Sequence, residues 1–223
     1  MLSRTSMTLV GGKALDLAAP SHERIHYNQI AWSLADKGRF GDQSPVKWPV
    51  GNHVICCAIL AAYHHATGPA KFCGTALPAV RAAFHHDDGE AFYGDSISPV
   101  NQFLKECEAY QNMRRAVDNA ITQALNLDAG HLASEEVHMY DLIMLEAERQ
   151  SFFLDAEDVW PVTEMVKDEP LLPLAKKLVA KMAMQQVPQA MAARRLRGIE
   201  ETLLAYNPRS TPVELYTDLL LFL

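Results

Sequence analysis

Ala82-Ala83-Phe84-His85-His86-Asp87-Asp88-Gly89-Glu90-Ala91-Phe92-Tyr93-Gly94-Asp95 takes an apolar helix straight into adjacent imidazole and carboxylate groups, and two more acids, Glu90 and Asp95, follow at once. A helix that only packs a core has little use for so many groups that bind metal or move protons, because each is costly to bury unless it is paired. The stretch predicts a metal site at the end of a buried helix. Glu90 stands four residues after His86, the spacing of one helical face, and Gly94 frees the chain to turn back and bring Asp95 in. Imidazole nitrogen with carboxylate oxygen is a ligand set for Zn, Mn, Fe, Co or Ni, and leaves the identity of the ion open.

Further ligands are available on both sides. Pro49 to Leu60 puts His53 in the first turn of an apolar helix, and Val137 to Glu148 places Asp141 in a helix whose apolar neighbours predict burial.

Apolar spacing predicts helices over about 23–36, 52–66, 77–87, 97–125 with an irregular start, 134–153, and 170–206 with interruptions near Pro173 and Pro188, then a short one over 212–222. Residues 1–20 read as irregular or weakly extended, and Asp155 to Pro170 as a connector. No alternating apolar and polar run competes, so the expected fold is an all-α bundle. Its expected division is a core over 1–155 and a C-terminal helical extension over 156–223 packed on the same domain.

The 223 residues are 49% apolar, enough for one well-buried domain, and the net charge of -7 without a basic run speaks against extended nucleic-acid binding. Four cysteines, Cys56, Cys57, Cys73 and Cys107, have no C-x-x-C spacing and read as reduced thiols of a cytoplasmic protein, in a host cytoplasm if the chain is phage-encoded. Neither a signal peptide nor a membrane span is expected. Leu215, Leu219, Leu220, Phe222 and Leu223 make an apolar end that must be covered, either by a second copy in a homo-oligomer or by the chain's own bundle.

A single His, then His-Asp, then a distant Asp is the ligand pattern of the HD-domain phosphohydrolases, and the chain resembles that family over roughly residues 8 to 155. It is most similar to the branch of 5'-deoxynucleotidases and phage deoxynucleotide triphosphohydrolases. Phe84 to Pro99 follows their His-Asp-Ala-x-Glu-Ala-Tyr-x-Gly-Asp pattern, Arg39-Phe40 stands fourteen residues before His53, and Glu148 follows Asp141 by seven. The chain departs from the pattern at Asn52, where Glu is usual, and at His85, where an aliphatic residue is usual.

The resemblance implies that His53, His86, Asp87 and Asp141 hold a divalent transition metal such as Zn, Mn, Co or Fe. It implies Arg39 on the substrate phosphate, Glu90 in proton transfer, and Asp95 orienting water or holding a second divalent ion such as Mg. Phe40 and Trp48 are core residues or a platform for the base, and His85 is a candidate contact to the leaving group. The implied substrates are deoxynucleotides, either dNMPs or dNTPs, with dATP destruction in phages that replace adenine by 2-aminoadenine a particular form. Two other readings stay open: an HD-fold oxygenase with two irons, drawing on His64, His65 and His85, and a non-catalytic helical module with a structural metal.

Overall fold

The computed structural model describes residues 3–68, 76–153, 160–207 and 210–223. Its centre is α2 (Val50–Thr67), in which every residue from Val50 to Ala62 is buried. A helix apolar on all faces has to be surrounded. Around it pack α1 (Tyr27–Leu34), α3 (Ala76–His85), α8 (Glu135–Phe152), α10 (Leu172–Ala183), α11 (Gln189–Ala205) and α12 (Pro212–Leu220). Gly51 permits the closest approach, since a Cβ there would lie 2.9 Å from a methyl of Leu196 and 3.1 Å from the Leu34 carbonyl oxygen. The fold class is all-α as expected, apart from an antiparallel hairpin of Ser6–Thr8 and Ala14–Asp16 in the segment read as weakly extended.

The expected helix over 23–36 starts with a separate 3-10 turn, His22–Arg24, before α1. The one over 97–125 divides into α5 (Ser98–Lys105) and α6 (Glu108–Ala124), and the Leu104 carbonyl freed at the break accepts from Cys107 N–H at 3.1 Å and the Gln111 side chain at 3.0 Å. Pro173 lies in the first turn of α10, where its missing N–H costs nothing, and Pro188 caps α11 after a real break. The connector contains a helix that its composition concealed, α9 (Pro161–Val166), while its residues 155–159 lie outside the described residues.

Two shorter helices complete the chain, α4 (Glu90–Tyr93) and α7 (Ala129–Leu132). The C-terminal helices share one continuous apolar core with the rest. Leu215 and Leu219 are fully buried where α12 lies on α2, so the apolar end on which a homo-oligomer was expected is covered largely by the chain itself. Among the described residues no helix is long and apolar enough to cross a membrane.

One buried ionic group joins the extension to α3. His85 Nδ1 lies 2.7 Å from Asp88 Oδ2 and its Nε2 lies 2.8 Å from Glu200 Oε2, which requires N–H on both nitrogens. Arg81 reaches the other oxygen of Glu200 at 3.4 Å. Burial opposes the charge on His85, but Asp88 and Glu200 outweigh it and raise its pKa from 6.5 to about 9. A raised value means stability that is fully present below the unfolded pKa and lost as pH rises through the folded one. Metal-free protein should therefore lose roughly 3 kcal/mol of unfolding free energy between about pH 6 and pH 10 through this group. Chemical denaturation across that window should show a loss smaller by about that amount in His85→Gln than in the native chain, the remainder belonging to His53 and His86; an identical loss in the variant would sink the ionised clamp.

Candidate metal centre

Three elements meet at the site. His53 stands in the first turn of α2, His86 and Asp87 follow the end of α3, and Asp141 projects from α8. The second nitrogen of each imidazole fixes what the first can do. His53 Nδ1 lies 2.7 Å from the Glu148 carboxylate, and His86 Nδ1 lies 2.8 Å from the Ala83 carbonyl oxygen. Both partners accept, so both Nδ1 atoms donate, and in the neutral rings both Nε2 atoms carry bare lone pairs.

Those lone pairs face carboxylate oxygen. His53 Nε2 is 3.1 Å from Asp141 Oδ1 and 3.8 Å from Asp87 Oδ2; His86 Nε2 is 3.3 Å from Asp87 Oδ2 and 3.8 Å from Asp141 Oδ1. His86 Nε2 is buried and makes no hydrogen bond. Four electron-rich atoms held this close repel one another unless positive charge lies among them. Ligands about 2.1 Å from one ion stand about 3.0 to 3.4 Å apart at right or tetrahedral angles. The two shorter separations fit that range and the two longer ones correspond to wider angles.

Without a metal the positive charge must come from protons. Burial opposes charge on His86, but Asp87 and Asp141 outweigh it; around His53, burial and Arg39 are outweighed by Cys57, Glu148 and Asp141. Both imidazoles are held well above their ordinary range. A divalent ion would replace those protons.

Cys57 is the residue that sequence reading missed here. His53, Cys57 and His86 form a possible metal-binding cluster, with ligand atoms all within 4.8 Å of one another. The absence of C-x-x-C spacing hid it, yet its position four residues after His53 on one helix face was the available signal.

Glu148 supports the centre from behind. Its fully buried carboxylate accepts from His53 Nδ1, from Trp48 Nε1 at 2.8 Å and from Arg39 Nε at 3.1 Å. Burial works to raise its pKa, but Arg39 and His53 hold it below the ordinary value. Arg39 also lies 3.4 Å from Asp87 through Nη1, and Nη2 has no hydrogen-bond partner among the described residues.

Two expected substrate contacts are corrected. Trp48 is only 1% exposed and spends its N–H on Glu148, so it is a core residue and not a platform for a base. His85 is buried with both nitrogens closed by Asp88 and Glu200, leaving none for a leaving group. Phe40 is half-buried, with its ring 5.2 Å from Phe153, 6.1 Å from Trp160 and 5.5 Å from the Arg39 guanidinium.

The acids also sit differently from expectation. α3 ends at His85, so Glu90 does not share a helix face with His86; it opens α4 after a turn through Gly89. Its Oε2 is nevertheless buried without a hydrogen-bond partner, and burial, followed by Asp87 and Asp95, holds its pKa well above the carboxylate range. Asp95 accepts the Phe40 backbone N–H at 3.1 Å and is raised by burial and Asp87. His64 and His65 lie against Tyr140 and Glu136 on α8, so the extra histidines that an oxygenase with two irons would need do not join the cluster.

No protein-family model matches this chain, and no curated protein matches it.

A divalent ion bound here should raise thermal stability, because ligand held only by the native state adds to folding free energy. Chelated protein titrated with Mn, Co or Zn should show a rising Tm and one ion per chain, and Asp141→Ala should lose both responses. Full occupancy in Asp141→Ala by metal analysis would remove that ligand from the set.

Proposed function

We propose that this chain is a metal-dependent phosphohydrolase of deoxynucleotides, of the kind carried out by the HD-domain enzymes it resembles. The observation that supports this most is the convergence of two imidazoles and two carboxylates beside a buried guanidinium and a buried acid without a hydrogen-bond partner. His53, His86, Asp87 and Asp141 would hold the cation, and Asp95 is the candidate ligand for a second one. When bound, a divalent cation supplies the Lewis acidity that activates water and offsets charge on the phosphoryl oxygens.

The chain's own residues supply the rest. Arg39 is oriented by Glu148 and Asp87, and its free Nη2 is the donor for a phosphate oxygen. Burial, Asp87 and Asp95 all disfavour the Glu90 anion and raise its pKa, which suits an acid that protonates the leaving oxygen. Phe40, with Phe153 and Trp160 behind it, presents an aromatic wall beside Arg39 on which a base can lie. The side chains of Asp87 and Asp141 are 19% and 31% exposed, so these two groups reach solvent. That exposure favours catalysis over a purely structural ion, whose shell is closed.

Purified protein should be screened against dNMPs and dNTPs with Mn, Co, Zn and Mg in turn, separating released phosphate from released triphosphate. Hydrolysis of neither class with any ion would overturn the proposal.

Two substitutions divide the roles. Glu90→Ala should keep metal and substrate affinity while turnover falls roughly 10²- to 10⁴-fold, the usual size of a lost acid-base group; turnover near the native value would make Glu90 a bystander. Arg39→Ala should weaken all accepted nucleotides by a similar factor, and Arg39→Lys should restore only part of it because an ammonium lacks the fork. A loss confined to one base would move Arg39 into base recognition.

A further inference from the structure

We infer that the Cys57 thiolate is itself a ligand of the metal centre, beside His53 and His86. The inference rests on the metal-centre part of the reading above and extends it to a donor that the family pattern does not supply.

Cys57 is fully buried one turn beyond His53, and its Sγ lies 3.5 Å from His53 Nε2, the nitrogen that carries the lone pair. A sulfur about 2.3 Å and a nitrogen about 2.1 Å from one ion stand about 3.1 to 3.6 Å apart at right or tetrahedral angles. The observed separation falls in that range. His86 gives the independent observation: its Nε2 is buried without a hydrogen-bond partner, and the residue belongs to the same cluster, whose ligand atoms lie within 4.8 Å of one another.

The thiol also has nowhere else to turn. Its only hydrogen-bonding partner among the described residues is His53 Nε2. When an ion binds both atoms, the S–H bond breaks, its electron pair stays on sulfur and forms the bond to the ion, and the thiol proton leaves to solvent with those that the imidazoles give up. Cys56, the next residue back, is buried and is not in the cluster of ligand atoms. Thiolate in the set narrows the choice of ion, since sulfur favours Zn or Co over Mg or Mn.

Cobalt reads the sulfur directly. Chelated protein loaded with Co2+ should show visible ligand-field bands together with a near-ultraviolet thiolate-to-cobalt charge-transfer band. Cys57→Ser and Cys57→Ala should keep the visible bands, which also report an intact centre, and lose the charge-transfer band. A variant with Cys56, Cys73 and Cys107 all replaced by Ser should keep it. Visible bands without charge transfer in the native chain, or charge transfer that survives in Cys57→Ser, would overturn the thiolate and leave the His and Asp ligands standing. Absence of every cobalt band would overturn the thiolate and the metal centre together.

Discussion

A fully buried carboxylate that accepts three hydrogen bonds, Glu148, is the constraint on which the site depends. Burying such a charge costs several kcal/mol unless its lone pairs are used and its charge is balanced. Arg39 balances it, while Trp48 and His53 take further lone pairs. Each donor is thereby fixed for another purpose: His53 in the tautomer that frees Nε2, Arg39 between Glu148 and Asp87, and Trp48 as the floor beneath both. Losing the carboxylate would leave a buried guanidinium half-paired and an imidazole free to turn. Its consequence would reach the candidate metal ligands, Arg39 and the core at once.

α8 sets this arrangement with one spacing. Asp141 and Glu148 are seven residues apart, two helical turns, and so project from one face toward the same imidazole. Asp141 meets Nε2 and Glu148 meets Nδ1. One helix therefore grips both edges of a ring carried by another. That ring belongs to α2, whose burial on all sides keeps the ligand from shifting, and the helices from α10 onward are part of that enclosure. The C-terminal extension is thus continuous with the support of the site, through packing on α2 and through Glu200 on His85.

The all-α fold was legible in helical apolar periods, while the four His and Asp positions were expected from the resemblance and are brought together in the structure. Glu90 was found for a reason that the structure does not keep, since the helix carrying His86 stops at His85. Its burial and its acid neighbours, which no spacing records, are what make it chemically apt. Trp48 and His85 were misjudged because their partners lie far along the chain, at Glu148 and Glu200, and nothing local announces such pairs. The opposite held for Cys57, whose helical spacing from His53 was visible and was outweighed by the lack of a familiar cysteine motif.

The loop that carries Arg39 has an unusual backbone. Phe40, Gly41 and Asp42 all have φ near +60°, a conformation that costs a non-glycine residue of order 1 kcal/mol or more. Such a run persists only if its surroundings hold it. Asp95 holds it through the Phe40 N–H, and the Trp48 carbonyl holds it through the Arg39 N–H at 3.0 Å. The Phe40 ring lies 5.2 Å from Phe153, after the end of α8, and 5.5 Å from the Arg39 guanidinium. A free loop would relax and separate the guanidinium from the aromatic rings. Asp95 therefore acts on the site through the backbone as well as through its charge, and one acid can serve both the loop and the chemistry.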